Sequence, residues 1–183
     1  MKEFKNIKVG YIPNTEVQIN NKKYLIHGVC DGEDIIVDEK SKKYPFLSEV
    51  TKKNPNRISD GCPFQNICGG CQFMHVSYEY EKELKTRFLN DLFKPFKMNV
   101  KLISTDKYLN YRNKIQMTYK TSNKGKVTCG FYEEYSHNLV SVDNCMLQSK
   151  EANNIIKEIN RILTKNKIKP YDEKTGEGII SHI

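Results

Sequence analysis

Cys62, Cys68 and Cys71 fall within ten residues as C-x5-C-x2-C, with Gly69 and Gly70 filling the last gap. No other stretch constrains the fold of the chain so strongly. Thiolates are soft ligands that suit zinc or an iron-sulfur cluster, and glycines between ligands let the backbone turn tightly so that its N–H groups can point at sulfur. A fourth ligand has to come from elsewhere in the chain. A structural zinc site commonly shows two separated C-x2-C pairs, or one such pair with a pair of histidines. Only one C-x2-C is present here, and zinc with His75 as fourth ligand stays open. Burial of small thiols is the remaining alternative, and it explains neither the spacing nor the glycines.

Among the other three cysteines, Cys145 is the best fourth ligand. It lies in a turn, Asp143-Asn144-Cys145-Met146-Leu147, between a short strand over 139–142 and a helix over 149–163. Ala152, Ile155, Ile156, Ile159 and Leu163 mark the buried side of that helix. Cys129 falls inside a strand on the face of Val127 and Phe131, and Cys30 lies beside the Asp31-Gly32 turn signal, so both read as structural.

With 30 Lys and Arg against 22 acids the chain carries +8, and a polyanion is the first partner to consider. No apolar run has membrane length, and the opening Met-Lys-Glu-Phe-Lys has no apolar signal region. A cytoplasmic protein with no membrane partner is expected, in which six cysteines are metal ligands or thiols rather than disulfides.

An α+β fold class follows from the order of the patterns. Residues 1–56 suggest a small antiparallel β-barrel, with strands over 7–12, 23–27, 34–38 and 44–50 separated by Asn20-Asn21, Asp31-Gly32 and Glu39-Lys40-Ser41 turn signals. Barrels of the OB type bind oligonucleotides, and Lys22, Lys23, Lys40, Lys42, Lys43, Lys52 and Lys53 are candidate phosphate contacts. Residues 54–60 read as a linker into the cysteine stretch. Ser77 is the N-cap of a helix to about Phe93, with Tyr80, Leu84, Phe88 and Leu92 at four-residue steps.

Residues 111–119, Tyr-Arg-Asn-Lys-Ile-Gln-Met-Thr-Tyr, alternate at period two. Tyr111, Ile115, Met117 and Tyr119 share one face of the expected strand, and Arg112, Lys114 and Lys120 share the other. A turn over 121–126, carrying Asn123 and Gly125, leads into a second strand over 127–132. Residues 101–150 hold eight Lys or Arg against four acids. A basic sheet face near tyrosines suits phosphate contact and stacking with single-stranded RNA, which makes Arg112, Lys114 and Lys120 the candidate RNA-binding residues. The plain alternative is a two-faced sheet with its wet side outward. No catalytic residue is identified: there is no glycine-rich cofactor turn, no paired carboxylates and no nucleophile elbow. The tail over 176–183 begins a turn and a strand with nothing after it to complete it.

Cys62-x5-Cys68-Gly-Gly-Cys71, His75, Tyr111-Arg112-Asn113-Lys114, Gly130-Phe131-Tyr132 and Cys145, in this order, resemble the iron-sulfur RNA uracil-5 methyltransferases of the RumA/TrmA type. The resemblance implies an OB-like TRAM barrel over 1–56 and a central RNA-binding α/β domain over 57–183 that carries a [4Fe-4S] cluster on Cys62, Cys68, Cys71 and Cys145. It also implies a C-terminal Rossmann-like domain that binds S-adenosylmethionine. That domain is absent from these 183 residues. Read so, the chain is the RNA-recognition and cluster-binding portion of an enzyme that methylates uridine C5 in RNA, ribosomal 23S RNA by the family's habit, and is inactive alone. The alternative is a non-enzymatic RNA-binding module with a structural zinc.

Overall fold

The computed structural model describes residues 1–10, 13–40, 44–122 and 125–183. After a short strand, β1 (Lys2–Phe4), the chain forms a hairpin of β2 (Asn14–Ile19) and β3 (Lys22–His27). Asn20 and Asn21 turn it with φ of 48° and 61°, the left-handed pair that a two-residue hairpin requires and asparagine tolerates. Next come β4 (Asp34–Asp38) and β5 (Phe46–Lys52), which pair with each other and place β4 between β1 and β5.

The five strands therefore make one three-stranded and one two-stranded antiparallel sheet, and among the described residues no barrel closes. Val17, Ile19, Ile26, Ile35 and Val37 point from both sheets into one core. The strand expected over 7–12 is not formed by its described residues. Ile7 and Val9 are buried all the same, because Ile7 N–H donates to Glu33 O at 3.0 Å and Val9 N–H to Asp31 Oδ1 at 2.7 Å. β2 went unanticipated although Thr15, Val17 and Ile19 alternate inward. Ile12, Ser41, Lys42, Lys43 and Asn123, which carry parts of the expected strand, turns and phosphate contacts, lie outside the described residues.

The chain divides into two compact units, Met1–Asn66 with Cys71–Thr105, and Ile67–Gly70 with Asp106–Ile183. The boundary expected after residue 56 falls inside the first of them. Its physical reason is a buried clasp where a linker was expected. Glu33, fully buried, accepts from Arg57 Nε at 2.6 Å and Nη2 at 2.7 Å, from Cys30 N–H at 2.8 Å and from Asn54 N–H at 3.1 Å. Arg57 Nη2 also donates to Gly28 O at 2.7 Å, and Arg57 bridges Val76.

α1 (Tyr78–Phe93) starts where Ser77 Oγ accepts from Tyr80 N–H, as the N-cap signal predicts. Tyr80 and Leu84 complete the core of the first unit, while Leu92, at the far end of the same row, is 54% exposed. Asp31 ties the helix down: its Oδ2 accepts from Tyr80 Oη at 3.1 Å and from Arg87 Nη1 at 2.8 Å. Arg87 thus joins the helix to the loop that carries Asp31.

In the second unit, β6 (Thr118–Thr121), β7 (Val127–Tyr132) and β8 (Leu139–Ser141) form an antiparallel sheet with β7 central. Gly130 in β7 is obligatory, since a Cβ there would lie 1.8 Å from Val140 O. The strand expected over 111–119 begins only at Thr118. Residues 110–112 bond instead to the segment before α2 (Lys150–Lys165), with Asn110 at φ 52° and Arg112 N–H donating to Leu147 O at 2.8 Å. Met117 and Tyr119 are buried as the alternation predicts, but Tyr111, expected beside them, is 52% exposed.

The tail is paired too. Tyr119 N–H donates to Ser181 O at 2.8 Å, and Met117 and Ile183 exchange backbone bonds at 2.9 and 3.0 Å. On α2, Ile156 and Leu163 are buried as expected, whereas Ile155 is exposed and Asn153 is buried one step round the helix from the expected face. Among the described residues no helix is long and apolar enough to cross a membrane.

Candidate metal centre and RNA-facing surface

Burial sorts the six thiols into two classes. Cys30 and Cys129 are buried, while Cys62, Cys68, Cys71 and Cys145 are each half-buried, and none is in a disulfide. Burial, with the Glu33 carboxylate beside it, pushes the Cys30 thiol up to about 12. Cys129 is likewise raised by burial, and its sulfur accepts from Asn160 Nδ2 at 3.4 Å. Both stay protonated near neutrality, which disfavours them as thiolate ligands. The structural role expected for them is the one their surroundings support.

In the first unit, Cys62 opens a turn closed by Gln65 N–H on Cys62 O at 3.0 Å. Gly61 before it passes so close to Met74 O that a Cβ would lie 2.3 Å away. In the second unit, Cys68 bridges Glu133, and Gly69 N–H donates to Tyr132 O at 3.0 Å. Gly70 N–H points at Cys68 Sγ at 3.4 Å, the kind of contact that stabilises a thiolate. A Cβ on Gly70 would sit 3.3 Å from the same sulfur. Cys68 is thus the one of the four half-buried thiols toward which a backbone N–H is seen to point. Among the described residues no three His, Cys, Asp or Glu side chains converge as a metal-binding group.

Cys145, also in the second unit, is held by a residue that sequence patterns did not single out. Asn153 Oδ1 accepts from Cys145 N–H, and Asn153 Nδ2 donates to Cys145 O, both at 3.0 Å. A buried asparagine on a helix face otherwise lined by Ile and Leu was the available signal.

His75 has other partners. Its Nε2 lies 3.3 Å from Val29 O and its Nδ1 3.4 Å from Gln65 Nε2, an arrangement in which Nε2–H donates and Nδ1 accepts. Burial first, then the Arg57 guanidinium, lowers its pKa to about 4, so the ring is neutral at pH 7. Both nitrogens are occupied, which weighs against His75 as a zinc ligand. A pH dependence follows. Because the folded pKa is below that of an unfolded histidine, the unfolded chain binds the proton first as pH falls. The His75 contribution is complete above about pH 6.5 and lost progressively down to about 4, an effect on the order of 3 kcal/mol. Urea midpoints measured at pH 7.5 and 5 should fall in the native chain and fall less in His75→Gln; equal slopes for the two would contradict the buried neutral ring.

Arg112, Lys114 and Lys120 all lie in the second unit, but not on one strand face. Arg112 is half-buried in the segment bonded to residues 147 and 149, Lys114 is exposed in the irregular run that follows, and Lys120 is in β6. Lys120 Nζ donates to His137 O at 2.7 Å and lies 5.2 Å from the centre of the Tyr132 ring. Both of these partners are neutral. Tyr132 in turn meets the His137 ring edge-on at 5.6 Å.

Comparison with known proteins finds relatives along most of the chain. The chain is 33% identical over 174 residues to an uncharacterized RNA methyltransferase of Caldanaerobacter subterraneus, covering 91% of this chain and 38% of that protein. The likeness is to RNA methyltransferases. An uncharacterized RNA methyltransferase of Clostridium tetani is 31% identical over the same share of each chain, and one of Listeria innocua 31% identical over 87% of this chain and 37% of its own. The chain thus spans under two fifths of the length of these curated relatives. No protein-family model matches it.

Proposed function

We propose that this chain is the RNA-recognition and [4Fe-4S]-binding portion of an S-adenosylmethionine-dependent RNA uridine-C5 methyltransferase acting on ribosomal RNA. The observation that carries the reading is the likeness to proteins named RNA methyltransferases along 91% of the chain. The half-buried thiols of Cys62, Cys68, Cys71 and Cys145 support the cluster, and Arg112, Lys114 and Lys120 support the RNA contact. The first unit, with two small sheets on one core, would fill the place of a TRAM domain.

The chemistry divides the labour. Uracil C5 is a poor nucleophile until a thiolate adds at C6, so methylation needs a positioned cysteine, a base and a methyl-donor pocket. Cys30 and Cys129 are buried and protonated, unsuited to that attack. The work of this chain is to hold RNA. It is expected to transfer no methyl group by itself, and labelled 5-methyluridine formed from this chain, S-adenosylmethionine and unmodified ribosomal RNA would refute that assignment.

The deciding experiment is anaerobic purification with iron, sulfide and zinc analysis. About four irons and four sulfides per chain are expected. Stoichiometric zinc without sulfide would replace this reading by that of a zinc-stabilised RNA-binding module. RNA binding should be electrostatic: each phosphate neutralised on a single strand contributes about −0.7 to the slope of log affinity against log salt. Arg112→Glu and Lys114→Glu should each flatten the slope, whereas Lys165→Glu and Lys167→Glu should leave it. Equal effects from the two pairs would reduce the surface to solvated charge.

A further inference from the structure

We propose that the face of the second unit's sheet turned away from α2 is a platform on which a base of single-stranded RNA stacks, with Tyr132 as the stacking ring and Lys120 and Lys126 on the phosphates. The proposal rests on the RNA-recognition reading above and deepens it.

Register separates the two faces of this sheet. Residues opposite one another in antiparallel strands share a face, and the faces alternate along each strand. Tyr119 pairs with Cys129, and both are buried. That side is the one α2 packs on, where Asn160 Nδ2 reaches the Cys129 sulfur at 3.4 Å. Lys120 pairs with Thr128 and Thr118 with Gly130, while in the next strand Ser141 stands opposite Gly130 and Leu139 opposite Tyr132. These lie on the other side. The tail adds a further row beside β6, because Met117 and Ile183 exchange backbone bonds and Thr118 bridges His182. His182, which is exposed, therefore joins the same face.

The side chains on this face suit RNA. Ser122 N–H donates to Lys126 O at 2.8 Å, which continues the register to Lys126, exposed two residues before Thr128. Among the described residues at the positions of this face there is no Asp or Glu. Its charge is that of Lys120 and Lys126. Gly130 lies between Thr128 and Tyr132 and adds no side chain, so the floor beside the ring stays low. Tyr132 is half-buried and braced by the edge-on His137 ring at 5.6 Å, with Lys120 Nζ 5.2 Å from its centre. A ring ordered in advance loses less freedom when a base settles on it. The hydroxyls of Thr128 and Ser141 bond to each other across the face and are groups that a ribose 2′-OH can engage. A sheet covered by a helix on one side, with an aromatic and cations on the other, is a general way to hold unpaired bases.

A merely solvated sheet face gives a different forecast, in which the ring is irrelevant and a charge acts alike wherever it is placed. The test uses the full chain and a short single-stranded RNA that carries 2-aminopurine, whose emission is quenched when it stacks. Native chain and Tyr132→Phe are expected to bind and quench. Tyr132→Leu should bind roughly tenfold more weakly or worse and lose the quench, the scale on which base–aromatic stacking acts. Lys120→Ala should flatten the slope of log affinity against log salt by about 0.7.

Should Tyr132→Leu fail to fold, exposed Ser141 carries the test. Ser141→Glu puts an acid on the platform and should weaken binding several-fold, whereas Asn154→Glu, the same change of charge at an exposed position of α2, should leave it as it was. Native affinity and quench in Tyr132→Leu, or equal effects from Ser141→Glu and Asn154→Glu, overturn the platform and leave the RNA-recognition reading intact. Binding to ribosomal RNA but not to the single strand does the same. Failure of the native chain to bind either RNA overturns that reading and this proposal together.

Discussion

Arg57→Met is expected to destabilise the first unit by about 3–5 kcal/mol, the scale on which breaking a buried ion pair acts when one charge stays behind. The Glu33 side chain is fully buried and that of Arg57 is 11% exposed. Without the guanidinium, the carboxylate keeps only the N–H groups of Cys30 and Asn54. The pH dependence has a definite sign. Burial pushes the Glu33 pKa up, but the Arg57 bonds and the two backbone N–H groups outweigh it and hold the carboxyl below its usual range. Its stabilisation is present above the ordinary pKa near 4.5 and is lost as pH falls through the lower folded value. Arg57→Met removes that depression, so the gap between variant and native chain should be widest at pH 7 and narrow below about pH 4.5. Adding Glu33→Gln to Arg57→Met should restore part of the loss, because no charge is then stranded. Urea unfolding of the native chain and the two variants checks all of this, and a deficit under about 1 kcal/mol for Arg57→Met would show that the pair is not a stability element.

The second large effect concerns the cluster ligands. Cys68→Ser and Cys145→Ser are each expected to lose nearly all bound iron, because a serine oxygen is a poor substitute for a thiolate. Cys30→Ser, Cys129→Ser and His75→Ala should retain it, since these side chains have structural partners of their own. Where metal binding contributes to folding, the ligand variants should also melt earlier than the native holoprotein and match its metal-free form. Iron and sulfide analysis with a melting curve separates the outcomes. Loss of metal from His75→Ala with retention in Cys145→Ser would sink the proposed ligand set.

The amino-acid sequence by itself determined what depends on short-range chemistry. Ser77 and Ser149 cap helices because a hydroxyl reaches a backbone N–H three residues on, and Asn20-Asn21 turns a hairpin because asparagine accepts positive φ. Both are interactions among near neighbours. Burial of Met117 and Tyr119, of Ile156 and Leu163, and of Cys30 and Cys129 was likewise legible from period and composition. Tertiary structure alone decided which segments take each other as partners. Residues 110–119 have the alternation of one strand, yet their first part bonds to residues 146–149 and their last part to residues 181–183. Residues 54–60 have the composition of a linker, yet Arg57 finds Glu33, 24 positions earlier, and closes a core across the expected boundary. Asn153 and Ile155 traded places for the same reason. Hydrophobic periodicity reports how much apolar surface a helix must bury, but a buried amide is favourable only where a distant backbone, here that of Cys145, supplies the matching donor and acceptor.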